Sequence, residues 1–343
     1  MLACISSAIL HGVQGTPVEV EVHVAQTALP GFNIVGLPDA AVRESRDRVR
    51  AVLVTSGLTW PNRKVTVNLA PSGVKKGGVW LDLPIGIGVA VASDQLEPER
   101  VEGFAFVGEL GLDGSLRSVP GVVPLAASLS ARRMVVPSSC APEAALVAGE
   151  RVRATRNLEM LLRSLRGEGD WDEVVAEASR PPAPVPDLGE VRGQRAGRRA
   201  IEVAAAGGHH LLLVGPPGSG KTMLATRLPG ILPPLRREEA LEVMSVWSAA
   251  GVRSPGKGVP ERPPFRAPHH SATEVALVGG GTAWLRPGEA SLSHYGVLFL
   301  DELGEFPAVA LDMLRQPLEE GVVHVTRARP LLICRSGSSS SRP

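Results

Sequence analysis

Hydrophobic and polar positions follow two distinct periods along this 343-residue chain. In "PVEVEVHVA", Val18, Val20, Val22 and Val24 fall on one face and Glu19, Glu21 and His23 on the other. That is the period of a half-buried strand. "KVTVNLAP", from Lys64 to Pro71, repeats it. Between them, "PDAAVRESRDRVRAVLVTSG" sets Val42, Val49, Val52 and Leu53 at helical spacing, with Asp39 near its start and Gly57 at its end. Those are helix start and stop signals. The opening "MLACISSAIL" predicts a strand, "LPIGIGVAVAS" a helix, "FAFVGEL" a strand, "VVPLAASLSA" a helix and "RMVVP" a strand. Strands and helices mixed in this way predict an α/β or α+β domain, placed over residues 1–166.

A composition shift follows. "RPPAPVPDLGE", from Arg180 to Glu190, is dense in proline and favours an extended spacer, so residues 167–186 are expected to form a Pro-rich linker. Beyond it a helix is expected from Arg198 to Ala206, closed by Gly207 and Gly208. The run Leu211 to Val214 does not alternate, which predicts a strand covered on both faces, as in a parallel sheet. A second α/β domain is therefore expected over residues 187–328.

Composition narrows the class without naming a partner. Hydrophobic residues make up 44% and charged residues 21%, which suits a packed core. A net charge of +1 gives no general pull toward nucleic acid or an anionic membrane. Cys4, Cys140 and Cys334 are scattered and odd in number, so neither a disulfide framework nor a zinc spacing is indicated. The N-terminus has no basic region or cleavage site, and the longest apolar run is too short to cross a bilayer. A cytoplasmic protein without a membrane segment is expected. Aromatic residues are 3% of the chain, so no stacking platform for single strands is evident.

The strongest chemical signal is "GPPGSGKT": Gly215, Pro216, Pro217, Gly218, Ser219, Gly220, Lys221 and Thr222. It matches G-x-x-x-x-G-K-[ST] at every fixed position, with an apolar strand before it and the helix pattern "TMLATRL" after it. Such a loop turns backbone N–H groups onto phosphate oxygens. Lys221 is expected to reach the β- and γ-phosphates of ATP, and Thr222 to hold Mg²⁺ through its hydroxyl. "GVLFLDEL" supplies a second buried-strand run, Val297 to Leu300, with Asp301 and Glu302 at its C-terminal end, where open α/β sheets bind ligands. Asp301 is the second expected Mg²⁺ partner. Glu302 is the expected general base, so Glu302 and Lys221 are the catalytic candidates. His269 and His270 invite a metal reading, but adjacent residues point apart and make a poor chelate. "RESRDRVR" and "GQRAGRR" could meet phosphates; the first also carries its own Glu44 and Asp47 partners.

Longer segments carry a resemblance. "FRAPHHSATEVALVGGG", "RPGEASLSHYGVLFLDELGEF" and "LRQPLEEGVVHVTRA" resemble the magnesium-chelatase-like branch of AAA+ ATPases. "GFNIVGLPDAAVRESRDRVRAVLVTSG" and "PNRKVTVNLAPSGVKKGGVWLDLPIGIGVAVAS" resemble the N-terminal domain of the ComM/YifB family. The resemblance implies a Lon-protease-like (ribosomal protein S5 domain 2-like) α+β domain followed by a P-loop AAA+ parallel-sheet domain. It implies ATP hydrolysis with Mg²⁺, a homo-hexamer, and DNA as partner, through branch migration in natural transformation or recombination. It also implies that "DLGEVRGQ" lines the adenine pocket, through Val191 and Gln194. A Lon-type protease needs a Ser–Lys couple, but "GELGLDGSLRSVPGVVPLAASLSARR" holds no lysine and "GGVWLDLPIG" no serine. The first domain is therefore expected to be non-proteolytic. A magnesium-chelatase motor, or an ATP-binding assembly module without efficient turnover, are the competing functions.

The resemblance holds through "VVHVTRA" and stops at "RPLLICRSGSSSSRP", so residues 329–343 are expected to be an atypical, disordered tail. The family continues with a sensor strand, an arginine finger and a helical lid. The expectation is a truncation, through a frameshift just after Arg327 or Ala328, which leaves ATP binding intact and hydrolysis impaired.

Overall fold

The computed structural model describes residues 1–343 except 27–28, 72, 74–75, 131, 176–183, 253–257, 282–284, 321, 325–332, 336–338 and 343. Much of the expected Pro-rich linker, and part of the expected tail, lie outside the described residues. The chain divides into two compact units, Met1–Ala178 and Ser179–Pro343.

The first unit is built on one mixed seven-stranded sheet. Its strands are β1 (Leu2–His11), β2 (Gln14–Val24), β3 (Gly31–Val35), β4 (Lys64–Ala70), β5 (Phe104–Phe106), β6 (Arg133–Pro137) and β7 (Val152–Thr155), in the order β3-β4-β2-β1-β5-β6-β7. β1, β2 and β4 pair antiparallel, and the remaining neighbours pair parallel. The alternation in β2 is realised: Val18, Val20, Val22 and Val24 are buried while His23 is exposed. Val65, Val67 and Leu69 do the same in β4.

The helix expected after Asp39 is split. A four-residue turn, Ala40–Arg43, is capped by Asp39, whose carboxylate accepts from the Val42 N–H at 2.8 Å. The longer α1 (Ser45–Thr55) restarts behind Glu44. Val42, Val49, Val52 and Leu53 are all buried, so the hydrophobic stripe survives the break. The helix α2 (Asp82–Ala92) is buried along its whole length and packs on β1 and β2. Gly88 makes that approach possible, since a Cβ there would stand 2.5 Å from Val22 Cγ2. Trp80 is locked just before it, its indole N–H donating to the Ala8 carbonyl at 3.0 Å.

Two polar groups are sunk into this unit. Asp82 is 1% exposed and accepts from Arg48 Nε at 2.8 Å. Burial pushes its carboxyl up to about 6, against the pull of the Arg48 hydrogen bonds and charge. Lys76 is fully buried, and its Nζ has no hydrogen-bond partner among the described residues. Desolvation lowers its pKa from the ordinary lysine value.

In the second unit, β8 (Leu211–Leu212), β9 (Phe265–Arg266), β10 (Val297–Phe299) and β11 (Ser339–Arg342) form an all-parallel sheet ordered β8-β11-β10-β9. β10 is buried throughout, as its apolar run predicts. β8 is not. It is shorter than expected, Leu212 is 55% exposed and Val214 86% exposed. β8 lies at the edge of the described sheet. The tail, expected to be disordered, has backbone strands at Ile333–Arg335 and in β11. Among the described residues no helix is long and apolar enough to cross a membrane.

Two measurements check this account. Asp82 keeps its proton longer in the folded than in the unfolded state, whose ordinary value is 3.8. The folded chain therefore binds more protons between pH about 4 and about 6, and stability falls as pH rises through that window. Urea unfolding of wild type against Asp82→Asn should show a relative loss on the order of 2–3 kcal/mol across it, level above. Parallel curves for the two proteins would refute the buried-carboxyl assignment. Separately, Gly88→Ala should destabilise by about 1–3 kcal/mol, because the added methyl overpacks α2 against β2.

Candidate nucleotide-binding site

The loop from Gly215 to Thr222 leaves β8 and runs into the short helix α4 (Lys221–Ala225). Gly218 and Gly220 hold φ of 76° and 83°, a left-handed backbone that favours glycine, and this is what bends the loop round. Lys221 Nζ donates to the carbonyls of Gly215 at 3.0 Å and Pro216 at 3.2 Å, so the amine sits folded over its own loop. Thr222 Oγ1 donates to Asp301 Oδ2 at 2.8 Å, across 79 positions of sequence. The β10 strand delivers Asp301 and Glu302 to the rim of the loop. A cavity of about 490 Å³ is lined by Gly218, Gly220, Lys221, Thr222, Asp301 and Glu302 among others.

Val191 and Gln194 are placed differently from one another. Val191 is buried in an apolar cluster with Leu188, Ile201, Leu224, Leu228 and Val297, beneath the loop's helix. Gln194 takes a left-handed φ of 48° at the start of the helix α3 (Arg195–Gly207), longer at its start than expected; its amide N–H donates to the Ser219 carbonyl at 2.8 Å. It braces the loop directly. Further braces had no sequence signal. Arg227 donates to the Asp187 carbonyl at 2.9 Å and to Glu190 at 3.1 Å, tying the segment before α3 to the residues after the loop.

His270 is the other residue that sequence reasoning did not place. Its Nδ1 stands 3.2 Å from Glu302 Oε2. His269 instead bonds Ser271 Oγ at 2.9 Å. Among the described residues no three His, Cys, Asp or Glu side chains converge as a metal cluster. Thr222 and Asp301 offer two hard oxygens at one point of the cavity, a donor set that fits Mg²⁺ completed by phosphate and water oxygens.

The family model "Magnesium chelatase, subunit ChlI" matches residues 187–333, and "Subunit ChlI of Mg-chelatase" matches residues 20–139. The YifB protein of Salmonella typhimurium is 45% identical over 331 residues, covering 94% of this chain and 65% of that protein. Escherichia coli YifB is 45% identical over 320 residues, covering 93% and 63%. The competence protein ComM of Haemophilus influenzae is 45% identical over 334 residues, covering 95% and 65%. The chain thus spans less than two-thirds of the length of these relatives. An α/β parallel sheet with a glycine loop at its strand ends is of AAA+ type. The chain belongs to the magnesium-chelatase-like ComM/YifB family.

Gln194→Ala should leave global stability within about 0.5 kcal/mol, as expected of an exposed side chain. Hydrogen exchange at the amides of residues 218–222 should nonetheless speed up. Unchanged exchange would mean that the loop holds its own shape.

Proposed function

We propose that this chain is the nucleotide-binding part of a magnesium-chelatase-like AAA+ motor that binds ATP with Mg²⁺, assembles as a hexamer and drives DNA branch migration. The observation that carries the nucleotide reading is the Thr222–Asp301 hydrogen bond at 2.8 Å. It joins the two motifs that ATP hydrolysis requires at one cavity. Lys221, held by carbonyls of its own loop, is free to exchange those bonds for the β- and γ-phosphates. The backbone N–H groups from Gly218 to Thr222 would take phosphate oxygens. Thr222 and Asp301 would hold Mg²⁺, which neutralises phosphate charge when bound. Glu302 would accept the proton of the attacking water at its carboxylate while the bond from the terminal phosphorus to the ADP oxygen breaks. Gln194 would fix the loop, and Val191 would form the apolar floor beside the base.

The first unit is read as a Lon-protease-like, ribosomal protein S5 domain 2-like domain without proteolysis. The absence of a lysine from Gly108 to Arg133 and of a serine from Gly77 to Gly86 supports this, since a nucleophile–base couple is missing there. The DNA role is supported by the sequence similarity to a competence protein. The magnesium-chelatase description of the family model favours a second reading, a motor serving metal insertion into a porphyrin.

Binding of a fluorescent ATP analogue with Mg²⁺ tests the first claim. Lys221→Ala should weaken it about 10-fold or more, roughly 1.4 kcal/mol. Equal affinity in the two proteins would show that the phosphate-loop assignment is wrong. ATP turnover should rise with branched DNA. Indifference to DNA together with stimulation by a porphyrin-handling partner would favour the chelatase reading.

A further inference from the structure

The sheet of the first unit has two unlike faces. On one, Val18, Val20, Val22 and Val24 of β2 are buried, and α2 packs there. On the other, strand pairing sets Cys4 beside Glu21, Glu21 beside Asn68 and Asn68 beside Val35, a row across β1, β2, β4 and β3. A second row runs through Leu2, His23, Thr66 and Asn33. The helix Val122–Ser128 covers the Gly15 end of this face, where Gly15 lies against Pro124. Beyond it Leu2, Cys4, His23, Asn33 and Val35 are exposed, and Glu19 and Glu21 are half-buried.

The charge of this open face is held in place without being cancelled. Glu21 accepts from Asn68 Nδ2 at 2.8 Å, and Glu19 accepts from Ser6 Oγ at 2.8 and 3.0 Å. Neutral donors orient both carboxylates and leave their charge unpaired. Among the described residues the cation that meets them is Arg132, 3.6 Å from Glu19. The neighbouring thiol registers the field: burial first, then Glu21 and Glu19, push Cys4 above its ordinary value.

The opposite side of the unit carries the reverse charge. α1 turns Val49 and Leu53 toward Gly86 of α2, so α2 lies between α1 and the sheet. The outer face of α1 exposes Arg46, Asp47 and Arg50. Arg46 meets Asp47 loosely, at 3.9 Å, and Arg50 has no hydrogen bond or ion pair among the described residues. Arg46 and Arg50, four helical positions apart, are separated by about 6 Å along the axis. Glu19 and Glu21, two strand positions apart, are separated by about 6.7 Å. The spacings match, and the two faces look away from each other, so they cannot meet within one chain.

We propose that the open sheet face of the first unit docks the outer face of α1 on a second copy of this chain, head to tail, with Arg46 and Arg50 seated on Glu19 and Glu21. Asp47 then falls near Cys4, which stands opposite Glu21. Two different surfaces on opposite sides of one unit make a heterologous contact, which repeats from copy to copy and closes into a ring when the rotation allows. The proposal rests on the reading of the chain as a hexamer and gives that ring a contact in the first unit.

Thiol cross-linking of the full chain with a short bis-maleimide tests it. In a Cys334→Ser background Cys4 is exposed and Cys140 is buried. Asp47→Cys should then give covalent dimers and longer species, and adding Cys4→Ser should abolish them. Arg46→Glu with Arg50→Glu should lower the yield about 10-fold or more, because like charges then face each other. Adding Glu19→Arg and Glu21→Arg to that protein should restore it. Salt of about 1 M, where the Debye length falls to about 3 Å, should lower the yield as well. A chain that sediments as an oligomer yet gives no Cys4-dependent cross-link overturns the docking and leaves the hexamer reading standing. So does a cross-link that survives charge reversal on α1, or one that reversal on both faces fails to restore. A chain that sediments as a monomer at every concentration removes both readings.

Discussion

The hydrogen bond from Thr222 to Asp301 is the point on which the second unit turns. Its two partners come from different strands and from motifs with no local reason to meet. β8 and β10 run parallel in one sheet, so both deliver their C-terminal ends to the same edge. The glycine loop at one end and the acidic pair at the other then share a rim. Everything proposed for nucleotide chemistry, including the reach of Lys221 and the place of Glu302, depends on that shared edge.

The loop is also held from below and from the side. Val191, Leu224 and Leu228 pack into one apolar cluster with α4, while Gln194 grips the Ser219 carbonyl from the start of α3. Such support is what a phosphate cradle needs, since its backbone donors work only if their directions are set before the ligand arrives.

The first unit is organised by a different constraint. The helix α2 has apolar residues on all sides and must be enclosed, which requires glycine where it touches β2 and places Asp82 in a site where its charge is costly. Arg48 answers part of that cost. Lys76 has no such partner among the described residues, so its burial carries a cost.

By itself the sequence determined the strands β2 and β4, the stripe through Val42, Val49, Val52 and Leu53, the glycine loop and the acidic pair. Each is a local pattern: a period of two or three to four, a run of glycines, or charges at the end of an apolar run. The break of the first helix at Glu44, the exposure of β8 and the strand formed by Ser339–Arg342 depend on what lies beside them. No periodicity records a neighbour. The same holds for His270, which the sequence offered only as half of an unconvincing metal pair. Its partner is 32 positions away, and only the parallel pairing of β9 with β10 brings the two side chains together. Local chemistry was legible because it is written in adjacent residues. The geometry that connects it was decided by strand order, which is settled by the packing of the whole unit.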